Sequence, residues 1–301
     1  MNGHNKYIAA AAAFLSALTV GANSTPVAAR PAQAPAISVA AQSTTDASDN
    51  VDPGSFEDIR ASKPHRIDDD VSRLIVRLIG NTCTGTPITG TVYVLTAAHC
   101  VLTESGEVTQ RTIVRDHVRY PAVAVLVNTE YHEHRSAEND AAVLIMAQEI
   151  PGPSARIGVS LPDSGELTLA GFQPLDSDGS LLRGKNVNDH PRPKNASGTT
   201  DRLTYEPAAC VTSASALKVY DTRVMVPCGL IPGASGGGLY VHDEDGYVLV
   251  GILSSVTADY KVNGIVPLSS VLELLAHPEL YAHGFSSHPT DPNRHVRIER
   301  S

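Results

Sequence analysis

From Val71 onward the chain advances in short apolar runs broken by Gly, Pro, Asp and Asn, and this texture constrains the fold more than any other feature. Leu74-Ile75-Val76-Arg77-Leu78-Ile79 is a β-branched run closed by Gly80-Asn81. Thr91 to Thr96, Ala122 to Val127, Ala141 to Met146, Leu167 to Phe172, Lys218 to Val226, Gly238 to Val241 and Tyr247 to Leu253 continue the series. Such runs, with hardly any helical period, predict an all-β sandwich or barrel. His242-Asp243-Glu244-Asp245-Gly246 separates two of them and carries the Asp-Gly signal of a hairpin turn. One helix is expected. Ser269 or Ser270 would cap a segment with Val271, Leu272, Leu274 and Leu275 on one face, ending near His277-Pro278. With 301 residues there is ample chain for one large β domain or two small ones.

The flanks read differently. Lys6 precedes an alanine-rich apolar stretch from Tyr7 to Val20, and small residues follow, with Val27-Ala28-Ala29 as a cleavage frame. Residues 1–29 therefore read as a secretory signal, and the apolar stretch is too short to span a bilayer comfortably. The expectation is an exported protein, extracellular or periplasmic, without a stable membrane anchor. Residues 30–70 are rich in Ala, Pro, Ser and Thr and then polar, ending in Asp68-Asp69-Asp70. Such a segment buries too little surface to order itself and is expected as a disordered linker or propeptide. Residues 173–201 read as a long surface loop, and 284–301 as a disordered tail. The formal net charge is −9, with no Lys- or Arg-rich block, so nucleic acid is not an expected partner.

Export gives meaning to the four cysteines, Cys83, Cys100, Cys210 and Cys228. Three pairings are open, and spacing favours Cys83 with Cys100 and Cys210 with Cys228. No Cys-x-x-Cys or matching His spacing points to a metal, so no metal site and no cofactor is expected.

Three frames of small residues then stand out in chain order: Thr96-Ala97-Ala98-His99-Cys100, Asn139-Asp140-Ala141-Ala142-Val143-Leu144 and Gly233-Ala234-Ser235-Gly236-Gly237. A serine hydroxyl is a poor nucleophile at neutral pH. It needs a base within hydrogen-bond reach, and that base needs an acid to fix its tautomer. His99 reads as the base, Asp140 as the orienting acid and Ser235 as the nucleophile. Ala97 and Ala98 would let other strands approach the imidazole, and Gly233 would let the N–H groups of Gly233 and Ser235 face a developing oxyanion. The serine frame also fits the nucleophile elbow of the α/β-hydrolases, with Asp259 and His277 as nominal partners. That reading needs a helix after the serine, whereas Leu239-Tyr240-Val241, a turn and Tyr247-Val248-Leu249-Val250 form a hairpin.

In these frames the chain resembles the chymotrypsin-like (trypsin-family) serine endopeptidases, of the compact type exported by bacteria. The likeness covers about residues 71–280. Cys83-Thr84-Gly85 with Thr96-Ala97-Ala98-His99-Cys100 is similar to the family's disulfide beside its histidine, and Gly251-Ile252-Leu253-Ser254 to the strand that pairs with substrate backbone. The resemblance implies two six-stranded antiparallel β-barrels over residues 71–283, meeting near 155–165, with a short C-terminal helix and the triad in the cleft between them. It implies that Ser254 hydrogen-bonds Asp140 and that the protein acts as a monomer on protein or peptide substrates through an acyl-enzyme.

Departures from the family pattern carry information. Activated animal members have an aspartate before the nucleophile that pairs with a newly released N-terminal amine; here that position is Ala234. No Ile-Val-Gly-Gly frame occurs near residue 70, and Arg66-Ile67 lies too close to Cys83 to imitate it. Activity is therefore expected without a buried N-terminal ion pair. Gly238 stands where proline is common. The pocket floor falls on Gly229 and its walls on Val256 and Gly264. Without an acid at Gly229, Arg and Lys are not expected before the scissile bond; Leu253 in place of histidine argues against Glu. Small or medium apolar residues are expected there.

Weaker signals have simpler readings. His132-Glu133-His134 reads as a solvated loop rather than a metal site. Asp176-Ser177-Asp178-Gly179 lacks the later glutamate of a calcium loop. Glu104 and Glu107 lie where some relatives hold calcium, but the segment is short. Asn195-Ala196-Ser197 is a glycosylation sequon, meaningless if the source is bacterial. Two rival functions stand beside the endopeptidase: a catalytically silent binding protein of the same fold, and a serine esterase.

Overall fold

The structure, a computed structural model, describes residues 62–284 except 80–81, 104, 110, 177–178, 183–203, 221–222 and 258. The signal segment 1–29, residues 30–61 of the linker, the sequon, Glu104 and the tail beyond 284 lie outside the described residues.

The fold begins earlier than the composition implies. Strand β1 (His65–Arg66) pairs with a later strand, and helix α1 (Asp70–Leu74) follows. Asp69 caps α1, its carboxylate accepting the N–H groups of Val71 at 3.1 Å and Ser72 at 3.2 Å. The acidic run expected to close a polar linker is thus a helix start, where carboxylates meet unpaired amides. Val71 and Leu74 bury the helix, so the apolar run from Leu74 divides between helix and strand.

Six antiparallel strands then build a closed barrel: β2 (Val76–Ile79), β3 (Thr84–Pro87), β4 (Tyr93–Thr96), β5 (Thr112–Arg115), β6 (Val118–Val127) and β7 (Ala142–Met146). Their order is β6-β5-β2-β3-β4-β7, and pairing of β6 with β7 closes the ring. Leu78, Val94, Ile113, Val125 and Leu144 fill it and are fully buried. Asp116 and His117 join β5 to β6 with φ of 50° and 64°, the left-handed pair that a two-residue hairpin turn requires.

The second sheet contains β8 (Arg156–Ile157), β9 (Glu166–Pro174), β10 (Tyr205–Ser213), β11 (Lys218–Tyr220), β12 (Arg223–Val226), β13 (Gly238–Asp243), β14 (Gly246–Val256) and β15 (Asn263–Pro267). Its order is β1-β10-β9-β13-β14-β15-β12-β11, with β8 parallel to β14. This is a half-barrel sheet, and no strand pairing joins β10 to β12 among the described residues. The seam between them is held otherwise. The Cys210–Cys228 disulfide crosses it, with Cα atoms 6.0 Å apart. Ser62 bridges to Cys228, donates its N–H to Pro227 O at 3.0 Å and its hydroxyl to Val211 O at 2.6 Å.

Residues 173–182, expected in a surface loop, belong partly to the fold. Gln173 is fully buried, donating Nε2 to Leu182 O at 2.5 Å, and Leu175 bridges to Leu181. After β15, α3 (Ser269–Ala276), α4 (Pro278–Tyr281) and β16 (Ala282–Gly284) return the chain to the first barrel, where β16 pairs with β6. The α3 cap differs from expectation. Leu268 occupies it without a side-chain bond, while Ser270 Oγ donates to Glu138 O at 3.5 Å.

Candidate active site

His99 lies in a 3-10 turn (Ala98–Cys100) directly after β4, and Asp140 follows a second 3-10 turn (Ala137–Asn139) directly before β7. β4 and β7 are neighbours, with Thr96 opposite Ala142, so the two turns meet at one end of the barrel. Asp140 Oδ2 accepts His99 Nδ1 at 2.7 Å, and Oδ1 accepts the His99 backbone N–H at 2.8 Å. Ser254 Oγ, on β14, donates to the same Oδ2 at 2.6 Å. The Asp140 side chain is 5 % exposed and that of His99 37 %. A carboxylate buried with three donors is a rigid anchor. It assigns the Nδ1 proton to the Asp140 side, which leaves Nε2 as an acceptor at the open side of the ring. Tyr131 of helix α2 (Thr129–His134) is buried nearby; its phenol is pushed up to about 12, first by burial and then by the charge of Asp140.

Ser235 sits in a turn between Ile231 and Gly238 that is shaped by two left-handed glycines, Gly233 at φ +116° and Gly236 at φ +81°. A Cβ on Gly236 would run into Thr84 O, Thr96 Oγ1 and Ala97 N, so this glycine lets the serine turn press on the histidine segment. A Cβ on Gly237 would collide with Ala170 O. Ala97, Ala98 and Ala234 are fully buried, which explains the small residues around both frames. Cys100 Sγ, already in a disulfide with Cys83 (Cα atoms 6.1 Å apart), lies 3.7 Å from Ser235 O. Among the described residues no hydrogen bond joins the Ser235 hydroxyl to the imidazole. Hydrogen bonds of this kind often tighten only when substrate is bound.

The amides of the turn divide into two sets. Ala234 N–H donates to Ile231 O at 3.2 Å, Gly236 N–H to Leu253 O at 2.7 Å and Gly237 N–H to Ala234 O at 2.8 Å. Gly233 and Ser235 donate to no protein acceptor among the described residues. Two unclaimed N–H groups flanking one residue are available to an anion.

The remaining sequence-derived positions lie between β14, β15 and the segment before Ser235. Gly229 has no room for a side chain, because Tyr260 O occupies the Cβ direction 2.5 Å away. Tyr260 itself takes φ +57°. Gly264 faces Ser255 across the β14–β15 ladder, and Val256 is paired with Asn263. Asn263 was not anticipated. It is fully buried, accepts Leu230 N–H at 3.0 Å and donates Nδ2 to Leu230 O at 2.8 Å and Ser255 O at 3.3 Å. Its signal in the sequence is a polar residue at the start of an otherwise apolar strand. Thr84 was also missed as a contact residue, although it stands in the quoted Cys83-Thr84-Gly85 frame; Thr84 Oγ1 donates to Gly233 O at 2.9 Å.

Other candidate groups stay apart from this cluster. His132, Glu133 and His134 are on α2, with His134 Nε2 3.8 Å from Glu133 Oε2. Asp176 O accepts Gly179 N–H at 3.0 Å in an ordinary turn, while Ser177 and Asp178 lie outside the described residues. Asp259 bonds Thr257 and Lys261, and the segment after Ser235 is β13, not the helix an α/β-hydrolase elbow requires. Cys83, His99 and Cys100 bring metal-ligating atom types within 4.8 Å, but both sulfurs are consumed in the disulfide.

A family model described as Trypsin matches residues 58–272. No curated protein matches the chain. Among solved structures, a Glu endopeptidase in complex with MPD is similar at 15 % identity over 74 % of this chain and 99 % of its own, with a TM-score of 0.51. The thermostable serine protease AL20 from an extremophilic microorganism aligns at 14 % identity over 70 % and 99 %, TM-score 0.49. The protease Anisep from Arthrobacter nicotinovorans aligns at 13 % over 68 % and 93 %, TM-score 0.48. The match to the family model spans both sheets and every residue of the cluster, and the chain belongs to the trypsin family of serine endopeptidases.

Proposed function

We propose that peptide hydrolysis by this endopeptidase runs through Ser235 as nucleophile, His99 as general base and then general acid, and Asp140 as the group that orients the imidazole. The observation that carries the reading is the double hold of Asp140 on His99, at backbone and Nδ1, which leaves Nε2 available as the proton acceptor. Attack of Ser235 Oγ on the scissile carbonyl moves its proton to Nε2. The tetrahedral oxygen then lies against the two unclaimed amides of Gly233 and Ser235, and the leaving amine takes the proton as the acyl-enzyme forms. Water repeats the cycle to release the acid product. Fluorophosphonate labelling of the folded domain, abolished by Ser235→Ala, is the expected result. A folded protein that resists labelling would point to the silent binding protein instead.

Gly229, Val256 and Gly264 form the floor and walls of the site for the residue before the scissile bond, and Ser254 sits beside it. The Tyr260 carbonyl against Gly229 shortens the floor. These features support cleavage after small or medium apolar residues. A peptide library profile dominated by Arg, Lys or Glu at that position would overturn this. Leu253, 2 % exposed, places no basic group beside Ser254. Ala234, fully buried among apolar neighbours, supports activity without a buried N-terminal ion pair. Acetylation of the mature amine should leave activity intact.

Export after removal of residues 1–29 and function as a monomer complete the proposal; the two disulfides support the first. N-terminal sequencing of secreted material and its sedimentation mass test both.

A further inference from the structure

Strand β3 is the seam between the two sheets, and its four residues divide their work by the pleat. Gly85 turns toward the first barrel, where a Cβ would sit 2.8 Å from Val94 Cγ1 and 3.0 Å from Leu78 Cδ1. Thr84 and Thr86, on the opposite face, point toward the second sheet and are 0 % and 1 % exposed. Thr86 Oγ1 shares a hydrogen bond of 2.7 Å with Tyr240 Oη. Thr84 does more. Its N–H donates to Ser235 O at 2.8 Å, and its hydroxyl donates to Gly233 O at 2.9 Å while accepting Phe172 N–H at 2.9 Å.

Those contacts fall on particular peptide planes. The peptide from Gly233 to Ala234 is held at its oxygen by Thr84 Oγ1 and at its nitrogen by Ile231 O. The peptide from Ser235 to Gly236 is held at its oxygen by Thr84 N–H and at its nitrogen by Leu253 O. Both are therefore fixed at both ends, and they alternate with the two peptides whose N–H groups are unclaimed. Gly233 has no side chain to restrain it and takes φ +116°, so a bond on its carbonyl is the direct restraint on its ψ.

We propose that the Thr84 hydroxyl is a positioning residue for the oxyanion-binding amides, holding Gly233 so that its N–H faces the tetrahedral oxygen. This rests on the assignment of Gly233 and Ser235 as oxyanion donors. Thr84 touches no reacting atom; it acts through Gly233.

Thr84→Val keeps the branched shape and the backbone N–H but removes the hydroxyl, and Thr84→Ser restores it. In the valine variant kcat should fall about tenfold to a hundredfold, below the loss seen when an oxyanion donor is deleted outright, with KM within about twofold. Affinity for a peptide boronic acid, whose adduct with Ser235 is tetrahedral and anionic, should weaken in parallel with kcat. The serine variant should recover both. Thr86→Val is the control: it breaks the neighbouring seam contact, so Tm should fall while kcat and boronate affinity hold. Should the valine variant not fold, Thr84→Ala is read in its place. Unchanged kcat and boronate affinity in a folded Thr84→Val protein overturn the inference, as does an equal loss in both for Thr86→Val. If the unaltered enzyme neither binds the boronate nor labels with a fluorophosphonate, the assignment of the site itself fails, and this inference with it.

Discussion

Asp140 holds His99 at two points, accepting its backbone N–H with Oδ1 at 2.8 Å and its Nδ1 with Oδ2 at 2.7 Å. The first bond fixes where the residue sits and the second fixes which way its ring faces. Asp140→Asn would present an amide to one of these donors and favour the wrong tautomer. We expect kcat to fall on the order of 10⁴-fold with the fold intact, as such a tautomer change does in this chemistry. Steady-state kinetics beside a thermal melt check it; a loss below about tenfold would sink the role given to Asp140.

Asn263 joins the β14–β15 wall to the segment that leads to Ser235, taking both the N–H and the carbonyl of Leu230. Replacing it by Leu leaves those buried groups unpaired, at about 1–3 kcal/mol each. The variant should melt lower and show KM raised more than kcat is reduced, because the pocket wall loosens while His99, Asp140 and Ser235 keep their contacts. Asn263→Asp keeps an acceptor for Leu230 N–H but turns a buried carboxyl oxygen on Leu230 O and Ser255 O, so it should melt at least as low. A KM unchanged in a destabilised Asn263→Leu would show that the wall does not depend on this clamp.

Much of this is legible in the sequence alone. The β-run texture carries the fold because strands and turns are encoded locally, and the three small-residue frames are visible because glycine and alanine are demanded by backbone contact, as Gly236 against Ala97 shows. What was hidden depends on long-range pairing. Residues 62–67 look like a polar linker in isolation, and only the unpaired edge of β10 gives them a place, with His65 opposite Ala209. Tyr205–Ser213 was missed as a strand because its partner β9, not its own composition, orders it. Thr84 and Asn263 have ordinary identities; their meaning lies in carbonyls more than thirty residues away.

The two disulfides close loops of almost equal length, with sequence separations of 17 and 18, so their chain-entropy contributions are alike, about 3 kcal/mol each. Their surroundings differ. Cys100 adjoins His99, whereas Cys228 adjoins Gly229 at the open seam. Replacing Cys83 and Cys100 by Ser should lower Tm and mainly reduce kcat. Replacing Cys210 and Cys228 by Ser should lower Tm by a similar amount and mainly raise KM. Melting curves and Michaelis kinetics on the two double variants test this, and identical kinetic effects would contradict the local roles.

Burial raises the phenols of Tyr93, Tyr131 and Tyr240, Tyr131 to about 12 with the Asp140 charge as its second cause. In the unfolded chain these groups release protons near their ordinary value of 10.0. Above that pH the unfolded state therefore binds fewer protons than the folded one, and stability falls as pH rises. The contribution is complete below pH 10 and, for Tyr131, drains away through about pH 12. Urea unfolding followed between pH 9 and pH 12 should show this decline. Tyr131→Phe, which cannot ionise, should show a shallower slope across the same range. An equal slope in the variant would mean that Tyr131 ionises without hindrance in the folded protein, and that its hydroxyl is not held in the neutral form beside Asp140.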